Sequence, residues 1–164
     1  MADQGAANTT GATNATGENA PEFRILTQYV KDLSFENPNA PQSLGPVTDQ
    51  PQIEVRVDVG VQRLTETDYE VKLTVGIDAK SGQGVMFLVE LQYCGLFRLA
   101  HIPADSLEPM LLIECPRQIF PFVRRVIADV TRDGGFPPLM IDPIDFVNLF
   151  QQRRAGVPEG TVPN

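Results

Sequence analysis

The chain holds one histidine, His101, so no multi-histidine metal site can be built within it. His101 follows a long apolar stretch and precedes Pro103, which reads as a turn position rather than a general base beside a nucleophile. The two cysteines, Cys94 and Cys115, lack C-x-x-C spacing and read as reduced packing residues. Cys115 stands before Pro116 near a helix start, where a thiol pKa falls, but only the distant His101 is available as its base. Asp142 and Asp145 have the types of an acid–base pair, yet helix capping accounts for both. The glycine-containing segments have neither Walker nor G-x-G-x-x-G form. Arg117, Arg124, Arg125, Arg132, Arg153 and Arg154 are spread over several turns, as on solvated helix faces. Lys and Arg number 13 against 21 Asp and Glu, a net charge of -8, which disfavours nucleic acid and anionic membrane and suits a basic partner. No catalytic group, metal site or cofactor is therefore expected, and binding is the remaining chemistry.

The residues suited to binding are carboxylates on one sheet face, and strands must position them. Gly84–Leu99 reads as a long strand with Val85, Phe87, Val89, Leu91 and Tyr93 on one side. Met86, Leu88, Glu90, Gln92 and Cys94 lie on the other. In Ile53–Val59 the odd positions are apolar and the even ones charged, and Tyr69–Ile77 repeats the pattern. Short turn segments, 64–68 and 79–83, separate these strands, so antiparallel hairpins connect them. Packing the apolar faces under helices collects Glu54, Asp58, Glu70, Asp78 and Glu90 outside, relieved by Arg56 and Lys72. Phe23–Phe35 supplies a fourth strand with imperfect alternation: Phe23, Ile25, Tyr29, Leu33 and Phe35 on one parity, Leu26 and Val30 on the other. Asp32 and Glu36 lie on this strand, which reads as an edge strand.

Residues 1–20 are mostly Gly, Ala, Asn and Thr, too polar to offset about 1–2 kcal/mol of ordering per residue, and are expected to form a disordered tail. The folded domain is expected over 21–152, with a flexible tail over 153–164. After Asn37-Pro-Asn-Ala-Pro41 a long connection runs to Pro51. Asp105-Ser-Leu-Glu opens a short helical turn. The main helix is expected from about Arg117, with Pro121 in its first turn, to Gly134-Gly135. A second helix is expected with Asp142 as N-cap and Pro143 first, its apolar edge made by Ile144, Val147 and Phe150, widened by Phe146 and Leu149. Strands followed by helices give an α+β class: a four-stranded antiparallel sheet with two helices on one face. No apolar run reaches the roughly 18 residues of a membrane span, and no secretory leader is recognised, so a soluble cytoplasmic protein is expected.

Several segments together resemble the signatures of the SecB family of bacterial protein-export chaperones. They are Tyr29-Val-Lys-Asp-Leu-Ser-Phe-Glu-Asn-Pro-Asn-Ala-Pro41, Phe87-Leu-Val-Glu-Leu91, Ile119-Phe-Pro-Phe-Val-Arg124 and Gly135-Phe-Pro-Pro-Leu-Met-Ile-Asp-Pro-Ile-Asp-Phe146. They occur in the family's order and span about 23–152. The resemblance implies a homotetramer, a dimer of dimers with long helices between two sheets. It also implies a cytosolic, ATP-independent holdase that binds unfolded preproteins and delivers them to the motor SecA. SecA docking then falls to Asp32, Glu36, Leu88 and Glu90, and tetramer assembly to Val89, Leu91 and Tyr93. A substrate groove falls to Leu44, Val57, Val59, Phe136, Phe146, Leu149 and Phe150. Three features depart from the family: no tryptophan stands in the crossing loop, a Gly pair after the long strand reads Cys94-Gly95, and the C-terminal stretch is short and poor in charge. Two other readings stay open from the residues: a non-export holdase or toxin–antitoxin partner of the same fold, and a small-molecule-binding enzyme.

Overall fold

The computed structural model describes residues 17, 19–156 and 161–162. Most of the tail expected over 1–20 lies outside the described residues, as do 157–160 and 163–164. Four long strands, β1 (Glu22–Glu36), β2 (Gln52–Arg63), β3 (Asp68–Ser81) and β4 (Gly84–Ala100), pair antiparallel in the order β1-β4-β3-β2. A two-residue strand β5 (Thr161–Val162) pairs with β2 at Val55 and Arg56. The hairpins β2–β3 and β3–β4 set the inner order, and β1 joins the free edge of β4.

The period-two pattern builds the core. Val71, Leu73, Val75, Ile77, Val89, Leu91 and Phe97 are fully buried on the inner face, against Ile119, Val123 and Ile127 of the helical layer. Each such side chain contributes about 1.5–3 kcal/mol.

Where alternation fails, an extra residue is the cause. The β1–β4 register shifts between Ile25 and Thr27 and again between Val30 and Asp32. Each bulge reverses the facing of the residues beyond it. Tyr29 therefore sits beside Cys94 on the outer face and Val30 beside Tyr93 on the inner one, the reverse of simple parity. The second shift cancels the first, so Leu33 and Phe35 face inward and Asp32, Ser34 and Glu36 outward. A third shift, between Ala79 and Lys80 opposite β4, pairs Val85 with Lys80 and leaves Met86 as the extra residue, buried where alternation exposes it. Cys94 is likewise fully buried rather than exposed, on the outer face among Tyr29, Glu70, Lys31 and Lys72.

The helical layer begins earlier than expected. A continuous helical run starts at Ala104 as α1 (Ala104–Pro109), passes through a π-helical turn over Met110–Glu114 and continues as α2 (Cys115–Asp133). The wide turn explains the continuity. A proline ring clashes with the carbonyl four residues back, and for Pro116 that carbonyl is Leu112's, inside the π turn. Pro121 consequently lies in the helix interior, exposed, not in its first turn. The last helix, α3 (Phe146–Arg154), is capped by Asp145, whose carboxylate accepts from the Asn148 amide at 3.0 Å. Asp142 is not the cap. The chain around it has no regular structure, with Ile141 buried and Ile144 half-buried, and the helix starts only beyond them. Phe146 is the buried residue of α3, Leu149 and Phe150 are half-buried, and Val147 is exposed rather than on the packed edge.

Candidate functional site: an acidic sheet face and an apolar groove

The strand registers set the outer face out in rows across β1, β4, β3 and β2. One row reads Glu36, Leu88, Asp78, Glu54; the next Ser34, Glu90, Gly76, Arg56; the third Asp32, Gln92, Thr74, Asp58. These three rows hold six carboxylates and one guanidinium. Asp32, Glu36, Leu88 and Glu90 thus lie on adjacent strands in adjacent rows. Glu90 is exposed and Leu88 half-exposed.

Arg56 concentrates the pairing in this region. Its guanidinium reaches Asp78 at 2.5 Å, Glu90 at 3.3 Å and Glu54 at 3.7 Å. Among the described residues Asp32 and Glu36 enter no ion pair. At the α3 edge, Arg153 donates to the Val59 carbonyl at 2.8 Å and lies 3.8 Å from Asp58.

The opposite end of the same face is basic and tightly paired. Lys31 donates to Glu70 at 2.8 Å, and Tyr29 donates to the other Glu70 oxygen. Both contacts hold the Glu70 carboxyl below the usual carboxylate range, with the Lys31 bond the larger cause. The same carboxylate pushes the Tyr29 phenol up to about 12. Arg98 grips Asp68 through two bonds, at 2.7 and 2.9 Å, which lower the Asp68 pKa. The pairs join β1 to β3 across β4, and β4 to β3. The face is therefore uneven along the strands, with carboxylates in excess of cations at one end and carboxylates individually matched by cations at the other.

The apolar residues assigned to a groove divide in two. Val57, Val59, Phe136 and Phe146 are buried in the core, whereas Leu44 is exposed and Leu149 and Phe150 are half-buried. Leu44 ends a one-turn helix, Gln42–Leu44, in the crossing connection. It lies against Gly135, whose φ of +90° favours glycine and whose added Cβ would stand 3.0 Å from Leu44 Cδ2. Phe87 and Phe136 (4.9 Å between centroids) and Phe35 and Phe87 (5.8 Å) form an aromatic cluster, with Phe35 against the neighbouring Gly134. Phe150 lines a separate cleft of about 590 Å³ with Val61, Leu107, Leu111 and Leu112, rimmed by Arg153 and Arg154. Of the seven, Leu44 stands at the crossing connection and Phe150 in this cleft, while Leu149 packs half-buried against the core that holds the other four.

Of the residues assigned to assembly, Val89 and Leu91 are fully buried, and Tyr93 is covered by Phe122, stacked at 6.5 Å. The unprotected apolar surface lies beside them instead. Phe23, Ile25, Val30 and Leu33 of β1 share the inner face with β4 but are 36–44% exposed, as is Phe122 at 39%. Parity misses Val30 because the bulge is invisible to it.

Thr131 has no counterpart in the sequence reading. This fully buried hydroxyl donates to the Ile127 carbonyl at 2.9 Å and accepts from the Leu139 amide at 3.0 Å. It ties the segment carrying Phe136 to α2. A lone Thr near a helix end gives no pattern by which to find it.

Among the described residues no group of three or more His, Cys, Asp or Glu could hold a metal, and no helix is long and apolar enough to cross a membrane. Burial, its largest cause, pushes the Cys115 thiol up to about 12, the reverse of an activated nucleophile.

Comparison with known proteins bears on the whole domain. Residues 16–156 match the family model described as preprotein translocase subunit SecB. A relative named protein-export protein SecB from Parvibaculum lavamentivorans is 62% identical over 97% of this chain and 95% of its own length. Another of that name, from Maricaulis maris, is 51% identical over 94% of this chain and 91% of its own. Among solved structures, a SecB-like chaperone of Mycobacterium tuberculosis, in complex with a peptide from an antitoxin, superposes with a TM-score of 0.62 at 13% identity. That superposition covers 74% of this chain and 90% of the other, a likeness of fold alone. With an antiparallel sheet, a helical layer on one face and so close a match over nearly its full length, the chain belongs to the SecB family of protein-export proteins.

Proposed function

We propose that this protein is an ATP-independent cytosolic holdase. It binds unfolded preproteins and hands them to the SecA motor, and it works as a homotetramer built as a dimer of dimers. It is a binding protein, not an enzyme, and needs no cofactor. The observation that carries the reading is the clustering of Asp32, Glu36, Leu88 and Glu90 on one exposed sheet face, beside further carboxylates from two more strands. A basic partner surface meets concentrated negative charge there, with Leu88 as an apolar contact at its centre.

Assembly is supported by the open apolar strip of Phe23, Ile25, Val30, Leu33 and Phe122, which a second copy would cover. Val89, Leu91 and Tyr93 then act from below, shaping that strip. Client binding is supported by the cleft at Phe150 and the exposed Leu44 beside Gly135. Apolar burial is non-directional, so such surfaces accept unrelated unfolded sequences.

One titration series tests docking. Glu90→Lys, shown tetrameric by native mass spectrometry, should lose most of its affinity for SecA. Wild-type affinity in that variant would refute the assignment. Client binding without any SecA affinity in the unmodified protein would instead indicate a holdase outside export. Native mass spectra with and without an unfolded preprotein report the oligomer and the client stoichiometry.

A further inference from the structure

We propose that Arg56 is a built-in competitor for the acidic end of the sheet. Its guanidinium holds the Glu90 and Asp78 carboxylates in the resting chain, and a basic partner surface docks by displacing it. The inference rests on the reading of that face as a docking surface and adds how its strength is set.

The geometry that points to it is the gap at Gly76. Arg56 and Glu90 stand on β2 and β4, with β3 between them, and Gly76 is the β3 residue in their row. A Cβ added there would lie 2.8 Å from Arg56 Nη2 and 2.9 Å from Glu90 Oε1. Gly76 is not among the left-handed glycines, so its backbone does not require glycine. Glycine inside a strand weakens it, and here the missing side chain lets a guanidinium lie flat across β3 and bridge two strands.

The arrangement suits exchange. The Arg56 side chain is 42% exposed and that of Glu90 is 54% exposed, so both are open to solvent and to a partner. Exposed ion pairs of this kind are each worth at most about fivefold in an equilibrium, weak enough for an incoming Lys or Arg to replace. Glu54, 3.7 Å from Arg56 on its own strand, can keep the displaced guanidinium. Asp32 and Glu36 are open from the start. A partner thus finds two available carboxylates on β1 and must take Glu90 from its internal cation. Affinity is held down and made salt-dependent in both the free and the bound state.

The test uses the full chain and SecA, with affinities from calorimetry at low and physiological salt. Arg56→Gln removes the competitor. Gly76→Ala keeps every charge and crowds the guanidinium off Glu90. Glu90→Lys checks the face itself, and native mass spectrometry confirms the oligomer for each. Arg56→Gln should bind about three- to tenfold tighter, and Gly76→Ala about two- to fivefold tighter, both gains shrinking as salt rises. If both bind at wild-type strength or more weakly while Glu90→Lys abolishes binding, the competitor role is overturned and the docking face stands. If Glu90→Lys binds like the wild type, the docking face falls and the competitor role with it.

Discussion

Replacing Thr131 by Val should loosen the segment after α2 without unfolding the domain. The substitution is nearly isosteric and exchanges a hydroxyl for a methyl. Losing the donor side is cheap, because the Ile127 and Ala128 carbonyls it serves lie within helix α2. Losing the acceptor is not: the Leu139 amide, now bonded at 3.0 Å, is left without a partner. A buried donor left unsatisfied costs about 1–3 kcal/mol, and Leu139 is only half-buried, which places the cost near the lower end. The added methyl returns up to about 0.8 kcal/mol. Global stability should therefore fall by less than about 1 kcal/mol, while the local opening that exposes Leu139 becomes easier by about 1–1.4 kcal/mol. Amide exchange at Leu139 should quicken about five- to tenfold. Thr131→Ser keeps the hydroxyl and loses a methyl, so it should lower stability comparably yet leave the Leu139 amide protected. Exchange followed by NMR, beside urea midpoints for both variants, separates the outcomes. Unchanged protection in Thr131→Val, or an equal loss of Leu139 protection in Thr131→Ser, would show that the hydroxyl does not pin this segment.

Acid should weaken the fold through Asp68 and Glu70. Both have folded pKa values below their unfolded ones, so their contribution is present above about pH 4 and is lost as pH falls through the depressed values. Urea midpoints should drop in that window, and Glu70→Gln should flatten part of the drop. Alkylation should find neither thiol in the folded protein: Cys94 and Cys115 are fully buried, and burial raises both pKa values. Iodoacetamide at pH 8 should label them only in denaturant, and fast labelling of the native chain would contradict the packing.

The sheet was legible because one-sided burial writes a period of two into the chain. Val71 to Ile77 and Phe87 to Tyr93 have alternate residues buried to 5% or less exposure, and their polar neighbours face out. The grouping of Asp32 and Glu36 with Leu88 and Glu90 came from the family resemblance, and simple parity agrees with their shared facing because the two bulges between them and Phe23 cancel. The middle of β1 was not legible. A bulge is set by how one strand sits on another, so no local pattern placed Tyr29 outward or Val30 inward. Proline misled at the helix start, since the π turn that accommodates Pro116 depends on packing of the layer above the sheet. The cap at Asp145 was missed in favour of Asp142 because both are acids before an apolar run. Only the irregular path through Ile141 decides between them.

The bulges of β1 also bear on a hazard that the proposed binding of unfolded chains would carry. β1 is a fifteen-residue edge strand with apolar residues exposed on both faces, Tyr29 outside and Val30 and Leu33 inside. A straight edge of that length would template strand after strand from any extended client. Two interruptions, with Lys31 at the second, break it into short stretches whose hydrogen-bonding phase disagrees. A neighbour shaped to the same breaks can pair along its whole length, but a featureless client strand runs out of register within a few residues. On the proposed holdase reading, this irregular edge would turn clients toward side-chain contacts in place of growth along the sheet.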